Sequence, residues 1–229
     1  MPIRSVVFDI GGVLERVDDV EAVLGAAWRE RLGVSPEKFR AALAAIDPDN
    51  LSETGHMSEA EWTARCAASL RLSPAQTDEF RADVWNWYCG ELDEELMAFA
   101  ASLRPHVRTA IVSNSADGAR REELARYAFD EVFDPMIYSH EVGLAKPDPA
   151  TFELVCSRLD VAPDETIFVD DVPGHCEAAR KVGMHAIRHR STPQSITAIT
   201  ALLAGRNRVP LACADIVQHH TTVRRLATS

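Results

Sequence analysis

The segment Ser5-Val6-Val7-Phe8-Asp9-Ile10-Gly11-Gly12-Val13-Leu14 joins a short apolar run to a carboxylate and a pair of glycines. An uninterrupted apolar run that ends at a turn signal is typical of a buried strand in a parallel sheet. Asp9 then lies at the carboxyl end of that strand, where open α/β sheets bind their ligands. The same residues also make an ordinary strand-to-turn junction. The segment by itself therefore predicts a buried strand but no function.

Two later segments have the same organisation, an apolar run that ends in polar residues. They are Thr109-Ala110-Ile111-Val112-Ser113-Asn114-Ser115 and Thr166-Ile167-Phe168-Val169-Asp170-Asp171. Between them lies a loop-like segment with a lysine, Gly143-Leu144-Ala145-Lys146-Pro147-Asp148-Pro149. Strands that alternate with helical patterns at this spacing predict an α/β fold with a doubly wound parallel sheet.

The composition is that of a globular protein from a reducing compartment. At 229 residues the chain is long enough to bury a core of its own. Its 5 cysteines are scattered and odd in number, which argues against a disulfide frame or a zinc site. A formal net charge of −11 argues against nucleic acid as a partner. We see no bilayer-spanning run and no signal peptide, so we expect a cytoplasmic protein without a membrane partner.

Helical patterns alone occupy the chain from residue 15 to about residue 90. Ser58-Glu59-Ala60-Glu61 and Ser73-Pro74-Ala75-Gln76 each have the sequence of a capping box, which predicts two helix starts. Ser35-Pro36 predicts another start, with proline in the first turn, and the apolar spacing from Val20 to Leu32 predicts a helix before it. We therefore predict a small bundle of four helices inserted after the first strand.

The predicted domain boundaries follow from this interruption. Residues 1–14 and 91–204 form the α/β core, and residues 15–90 form the inserted helical domain. Residues 205–229 have no clear periodicity and no predicted role, and Gly205 is well placed to end the helix before them.

In chain order the four motif-bearing segments resemble motifs I to IV of the haloacid dehalogenase-like (HAD) hydrolase superfamily. Those motifs are a nucleophilic aspartate, a serine or threonine, a lysine and a pair of acids. The resemblance covers nearly the whole chain and implies a Rossmann-like core with a helical cap of the C1 subclass. The Asp-x-Gly-Gly-Val start and the segment Thr54-Gly55-His56-Met57-Ser58 are also similar to bacterial glucose-1-phosphate phosphatase-like members.

The resemblance implies a Mg²⁺-dependent nucleophilic reaction. Asp9 would attack a phosphate monoester and form an aspartyl-phosphate. Asp9 and Asp171 would be side-chain ligands of the Mg²⁺, and the main-chain carbonyl of Gly11 would also bind it. Asp170 would lie behind these ligands or bind the metal through water.

The resemblance also implies how the phosphoryl group is held. Lys146 would pair with both the nucleophile and the phosphoryl oxygens, and Ser113, with backbone groups near Asn114, would bind another phosphoryl oxygen. The cap loop with His56 would reach the substrate. Each residue also has an ordinary explanation: an exposed loop lysine, a helix cap or a helix–helix connection.

Gly11 departs from the family pattern. HAD phosphatases carry a second aspartate there, which protonates the leaving group and then activates water. A glycine retains the metal-binding carbonyl but cannot transfer a proton, and a positioned acid–base group typically contributes about 10²–10⁴-fold to the rate.

Three functions are compatible with this departure. We favour a phosphatase for a small phosphorylated metabolite such as a sugar phosphate, in which the leaving group needs little protonation or another group supplies the proton. That group would be a substrate hydroxyl, Glu15 or His56. A 2-haloacid dehalogenase-like hydrolase and a catalytically degenerate HAD-fold binding protein are the alternatives. We expect a monomer or a homodimer.

Overall fold

The computed structural model describes residues 1–17, 19 and 24–206. The strands in chain order are β1 (Ser5–Phe8), β2 (Glu15–Arg16), β3 (Glu91–Leu92), β4 (Arg108–Ser113), β5 (Met136–Tyr138), β6 (Thr166–Asp170) and β7 (His185–Arg188). The helices are α1 (Ala26–Leu32), α2 (Pro36–Ala44), α3 (Glu59–Leu70), α4 (Pro74–Tyr88), α5 (Glu94–Leu103), α6 (Ala119–Arg126), α7 (Phe129–Val132), α8 (Ser139–Val142), α9 (Pro149–Leu159), α10 (Pro173–Lys181) and α11 (Thr192–Arg206).

Five parallel strands form the central sheet in the order β5-β4-β1-β6-β7. The first strand of the chain is therefore the middle one, with β4 on one side and β6 on the other. Phe8 is opposite Ile111 of β4 and Val169 of β6. This register brings the carboxyl ends of three strands to one edge, and the predicted doubly wound parallel sheet is confirmed.

Helices cover both faces of the sheet because its strands are apolar on both sides. Phe8 packs in one buried cluster with Phe99 of α5 and Leu203 of α11. Val7 points to the opposite face and packs with Phe152 of α9 and other buried residues. Two separate layers of core thus hold β1 in place, and this fixes where its carboxyl end lies.

In chain order, helices α1 to α4 all come after β2 and before β3. These two strands pair antiparallel with each other. These helices have a hydrophobic cluster of their own that contains Trp28, Phe39, Cys66 and Phe80. The Trp28 and Phe80 rings meet edge to face at 5.0 Å. A closed two-stranded neck and a separate core support the proposal that residues 15–90 form a helical cap.

Polar side chains begin several helices as the sequence predicts, but one predicted capping box is incomplete. Ser73 and Gln76 form both reciprocal hydrogen bonds at the start of α4. Ser58 accepts from the backbone N–H of Glu61, as predicted, but the Glu61 carboxylate instead accepts from Arg65 at 2.6 Å. An arginine one turn along the helix is a stronger, charged partner for that carboxylate than the backbone is.

The prediction that Gly205 ends the last helix is wrong, because α11 continues to Arg206. The predicted tail lies outside the described residues from residue 207 onward. The four cysteines in the described part of the chain are all free and buried. Among the helices of that part, none is both long and apolar enough to cross a bilayer.

Candidate active site

Asp9 leaves the end of β1 at the edge where the three central strands finish. Its backbone N–H continues the pairing with β6 by donating to the Val169 carbonyl at 2.9 Å. The side chain turns back, so that Oδ1 accepts from the backbone N–H of Ile10 at 2.8 Å. Only 7% of the residue is exposed. The sheet therefore holds this carboxylate in one orientation at its carboxyl edge.

Lys146 bridges two carboxylates at this edge. Its Nζ lies 2.7 Å from Asp9 Oδ1 and 2.8 Å from Asp170 Oδ2. The lysine comes from the loop between α8 and α9, and its side chain is fully buried. The structure thus brings together three of the predicted residues, and Lys146 is not an exposed loop lysine.

The electrostatics of the three groups follow from burial and from their contacts. Burial raises the pKa of Asp9 to about 7, and Asp170 adds to this, while Lys146 opposes it. Burial also works against ionisation of Asp170, but hydrogen bonds from His175 and Lys146 hold its pKa below the usual range. Burial works against protonated Lys146 too, yet the carboxylates of Asp9 and Asp170 raise its pKa. Two carboxylates around one lysine leave an excess of negative charge for a cation to balance.

His175 completes a group of possible metal ligands. Ligand atoms of Asp9, Asp170 and His175 all lie within 4.8 Å of one another. The described contacts of Asp9 use Oδ1, so no described residue bonds Oδ2. Carboxylate oxygens suit a hard cation such as Mg²⁺, but both oxygens of Asp170 are already occupied, since Oδ2 accepts from Lys146 and Oδ1 accepts from the Val172 N–H. His175 stands on the first turn of α10 and its Nδ1 is 3.1 Å from Asp170.

Asp171, predicted as a direct ligand, has different surroundings. It is half-buried and is not in the group formed by Asp9, Asp170 and His175. Its carboxylate packs against Gly12, where a Cβ atom would lie 2.7 Å from Oδ2. Gly12 also has φ +75°, which favours glycine. The structure therefore places Asp170, and not Asp171, in contact with Lys146, and the ligand role of Asp171 stays a prediction.

Gly11 is exposed, and a Cβ atom built on it would meet nothing within 4 Å. Its φ lies outside the left-handed region. The position where the family pattern has a second aspartate is thus open space beside Asp9, without any steric demand for glycine.

Ser113 ends β4 and Asn114 follows it, at the same edge of the sheet as Asp9. Ser113 is buried, and among the described residues its hydroxyl has a single hydrogen-bond contact, at 3.4 Å to the carbonyl of Asn114. The side-chain amide of Asn114, by contrast, binds the backbone of Lys146. Its Nδ2 donates to the Lys146 carbonyl, and its Oδ1 accepts from the Lys146 N–H, both at 2.8 Å. Ser113 remains available for a ligand, whereas the Asn114 side chain positions the lysine loop.

The cap loop reaches the core at two points. Gly55 has φ +73°, and a Cβ atom on it would overlap the backbone carbonyl oxygen of His140. Glu53 Oε2 lies 3.5 Å from Asn114 Nδ2. His56 is exposed, and its Nδ1 lies 3.0 Å from the Thr54 hydroxyl of the same loop. The described contact between this loop and the site is thus made by Glu53, and a substrate contact of His56 stays a prediction.

Two further carboxyl groups are buried behind the site. Burial raises the pKa of Glu15 to about 9, and the neighbouring Glu123 adds to this. Burial likewise raises the pKa of Glu123 to about 7, although the hydrogen bond from the Tyr138 hydroxyl at 2.5 Å opposes the shift. No described residue bonds Glu15 Oε1. Both groups feel the charge of Asp9, so they add negative potential to the site when ionised.

Sequence reasoning did not single out Glu53 or His175 as residues of the site. His175 carried a signal, because it follows the acid pair on the first turn of the next helix, at the same edge of the sheet. Glu53 carried none, because its approach to Asn114 depends on how the cap is placed on the core.

Comparison with known proteins agrees with this geometry. The profile of the haloacid dehalogenase-like hydrolase family matches residues 3–183. A phosphatase of Mycobacterium tuberculosis is 28% identical over 194 residues, which is 81% of this chain and 87% of that protein. A HAD-family enzyme from Bacteroides thetaiotaomicron, solved with magnesium and inorganic phosphate, has a TM-score of 0.68 and 23% identity. The match covers 82% of this chain and 94% of that one.

A longer relative is also similar. Bifunctional epoxide hydrolase 2 of Rattus norvegicus is 25% identical over 247 residues, which is 98% of this chain but 44% of that protein. The chain therefore spans less than half of the curated relatives that match it first.

Proposed function

Because this chain belongs to the haloacid dehalogenase-like hydrolases, we propose that it is a phosphatase that cleaves a small phosphorylated metabolite through an aspartyl-phosphate on Asp9. The observation that carries this proposal is the buried ion pair between Lys146 and Asp9 Oδ1 at 2.7 Å. That pair fixes the carboxylate and leaves Oδ2 for attack on phosphorus. A binding protein has no need of a buried nucleophile held in this way.

The chain's own residues divide the work of phosphoryl transfer. Asp9 Oδ2 attacks, and Lys146 neutralises charge on the attacked group, because two anions must approach each other. The Ser113 hydroxyl donates a hydrogen bond to a phosphoryl oxygen. Asn114 keeps Lys146 in place through its two hydrogen bonds to the lysine backbone. These roles match the family motifs position by position.

The carboxylates of Asp9 and Asp171, with the carbonyl of Gly11, are our proposed holders of Mg²⁺, and Asp170 lies behind them, where Lys146, His175 and the Val172 N–H occupy its two oxygens. When bound, the ion supplies positive charge to the phosphoryl oxygens. The excess negative charge around Lys146 supports this assignment.

The cap loop favours a hydroxylated substrate. The Glu53 carboxylate lies above Asn114 at the site, where it accepts hydrogen bonds from hydroxyl groups and repels further anionic groups. A sugar or polyol phosphate fits this arrangement better than a bisphosphate or a phosphorylated acid. The open position at Gly11 supports a substrate whose leaving group needs little protonation, such as an anomeric phosphate.

Phosphate release from a panel of sugar, polyol and acyl phosphates, with Mg²⁺ and with EDTA, tests the proposal. We expect metal-dependent release that Asp9→Asn lowers by more than about 10³-fold, in line with loss of a covalent nucleophile. Asp78→Asn, an exposed aspartate on α4, is the matched control and leaves the rate unchanged. If the folded protein releases phosphate from no member of the panel, it is not a phosphatase. Chloride release from 2-chloropropionate in EDTA would then establish a dehalogenase instead.

A further inference from the structure

A cavity of about 880 Å³ lies at the opposite edge of the central sheet from Asp9. Its wall includes Arg4 just before β1 and Arg108 and Thr109 at the start of β4. Ser113, at the far end of β4, belongs to the candidate active site. A strand rises about 3.3 Å per residue, so the two sites are separated by roughly 17 Å along β4.

The lining of this cavity is unusually basic for an acidic chain. Four arginines line it, Arg4, Arg104, Arg108 and Arg158, together with His106. Asp134 is the single acidic residue in the lining. The whole chain has a formal net charge of −11, so this concentration of guanidinium groups runs against the overall composition.

Three of these arginines, Arg104, Arg108 and Arg158, have no acidic partner among the residues that the structure describes. Arg4 pairs with Glu165 at 3.3 Å, and Arg108 donates to the carbonyl of Leu159. Arg104 and Arg158 form none of the ion pairs found in that part of the chain, and both are exposed. Two unpaired guanidinium groups on one cavity provide donors for a ligand that carries several negative charges.

We propose that this cavity binds a compact polyanion with two or more phosphate or carboxylate groups. The planar fork of arginine matches both groups with paired hydrogen bonds. The cavity volume lies within the range of about 300–1,000 Å³ that is usual for small-molecule sites. No Phe, Tyr or Trp lines it, so it offers no aromatic platform for a nucleotide base. The inference does not depend on the proposed phosphatase function.

Calorimetric titration with pyrophosphate in metal-free buffer at low ionic strength tests this site, and citrate provides the carboxylate arm. We expect saturable binding that the double variant Arg104→Ser/Arg158→Ser weakens at least 10-fold. The control is Lys38→Ser/Arg40→Ser, which also removes two exposed positive charges but takes them from the cap. It leaves the affinity unchanged. Preference for one anion identifies the head group, and equal affinity shows recognition by charge.

Ser113→Ala separates this cavity from the candidate active site, because it alters phosphate contacts only at the other edge of the sheet. Binding that persists in Ser113→Ala and is lost in the arginine variant supports the cavity. Absence of binding, or loss in Ser113→Ala alone, overturns it. Thermal unfolding checks that each variant is folded. The single variants Arg104→Ser and Arg158→Ser, each expected to weaken binding at least 3-fold, replace the double variant if that one unfolds.

Discussion

Asn114 and Lys146 are joined by two hydrogen bonds between the asparagine side chain and the lysine backbone, each 2.8 Å long. The contact connects the end of β4 to the loop before α9. It fixes the backbone from which the lysine reaches Asp9 at 2.7 Å. Asn114, which follows β4, thereby helps to determine where the Lys146 ammonium group lies.

Asn114→Asp tests this positioning. The aspartate still accepts from the Lys146 N–H but cannot donate to the carbonyl, and it adds a charge that competes for the lysine. We expect kcat for phosphate release to fall about 10-fold or more, which corresponds to about 1.4 kcal/mol of transition-state stabilisation. Asn86→Asp, on the exposed surface of α4, is the control. An unchanged kcat in folded Asn114→Asp shows that the lysine is held by other contacts.

Gly11→Asp restores the acid–base group of the family pattern at a position with room for it. A Cβ atom there meets nothing within 4 Å, so we expect the variant to fold normally. Its rate on an alkyl phosphate such as glycerol 3-phosphate should rise at least about 10-fold, toward the roughly 10²–10⁴-fold typical of such groups. The gain should be smaller on p-nitrophenyl phosphate, because nitrophenolate leaves without a proton.

Gly12→Asp is the matched control for that gain. At Gly12, φ is +75° and a Cβ atom lies 2.7 Å from Asp171 Oδ2, so the side chain has no space. We expect loss of stability and activity. A Gly11→Asp variant that is folded but no faster on the alkyl phosphate contradicts the idea that the missing proton donor limits the rate.

The position of Asp9 was predictable because it follows from a local pattern. Three apolar strands that each end in polar residues had to meet at one edge of a parallel sheet. The pairing of Phe8 with both Ile111 and Val169 brings Asp9 to the same edge as Ser113 and Asp170. The apolar runs and the polar residues that end them thus predicted both the sheet and the residues at its carboxyl edge.

Other features of the site depend on contacts that no local pattern contains. In the neck, β2 and β3 pair although they are far apart in sequence. Each strand has two residues, which is too short for a periodic pattern to be detected. Whether Asp170 or Asp171 faces Lys146 depends on which of two adjacent side chains turns inward. The approach of Glu53 to Asn114 depends on how the cap is seated on the core.

Gly55→Ala tests the seating of the cap. A methyl group at this residue overlaps the His140 carbonyl oxygen, so the loop must withdraw from the core. We expect kcat/KM for the preferred sugar phosphate to fall about 10-fold, because Glu53 moves away with the loop. Gly33→Ala also introduces a side chain at positive φ but meets nothing within 4 Å. We expect that control to lose about 1 kcal/mol of stability and to keep its full activity. Equal activity in the two variants argues against a role of the loop.

Glu123→Gln tests the buried carboxyl behind the site through the pH dependence of stability. Burial raises the pKa of Glu123 from its ordinary value of 4.5 to about 7, so the folded state binds more protons than the unfolded state between these values. The contribution of this group to the free energy of unfolding is therefore greatest below pH 4.5. It falls as the pH rises to 7, by on the order of 3 kcal/mol.

Glutamine retains a carbonyl oxygen for the Tyr138 hydroxyl but does not titrate, so the variant lacks this loss. Urea unfolding of both proteins at pH 5 and at pH 8 measures the effect. The free energy of unfolding of the variant, relative to that of the wild type, should be higher at pH 8 than at pH 5. A difference that does not change with pH shows that Glu123 titrates as an ordinary carboxyl. Glu177→Gln, exposed on α10, supplies the baseline for removal of a solvated charge.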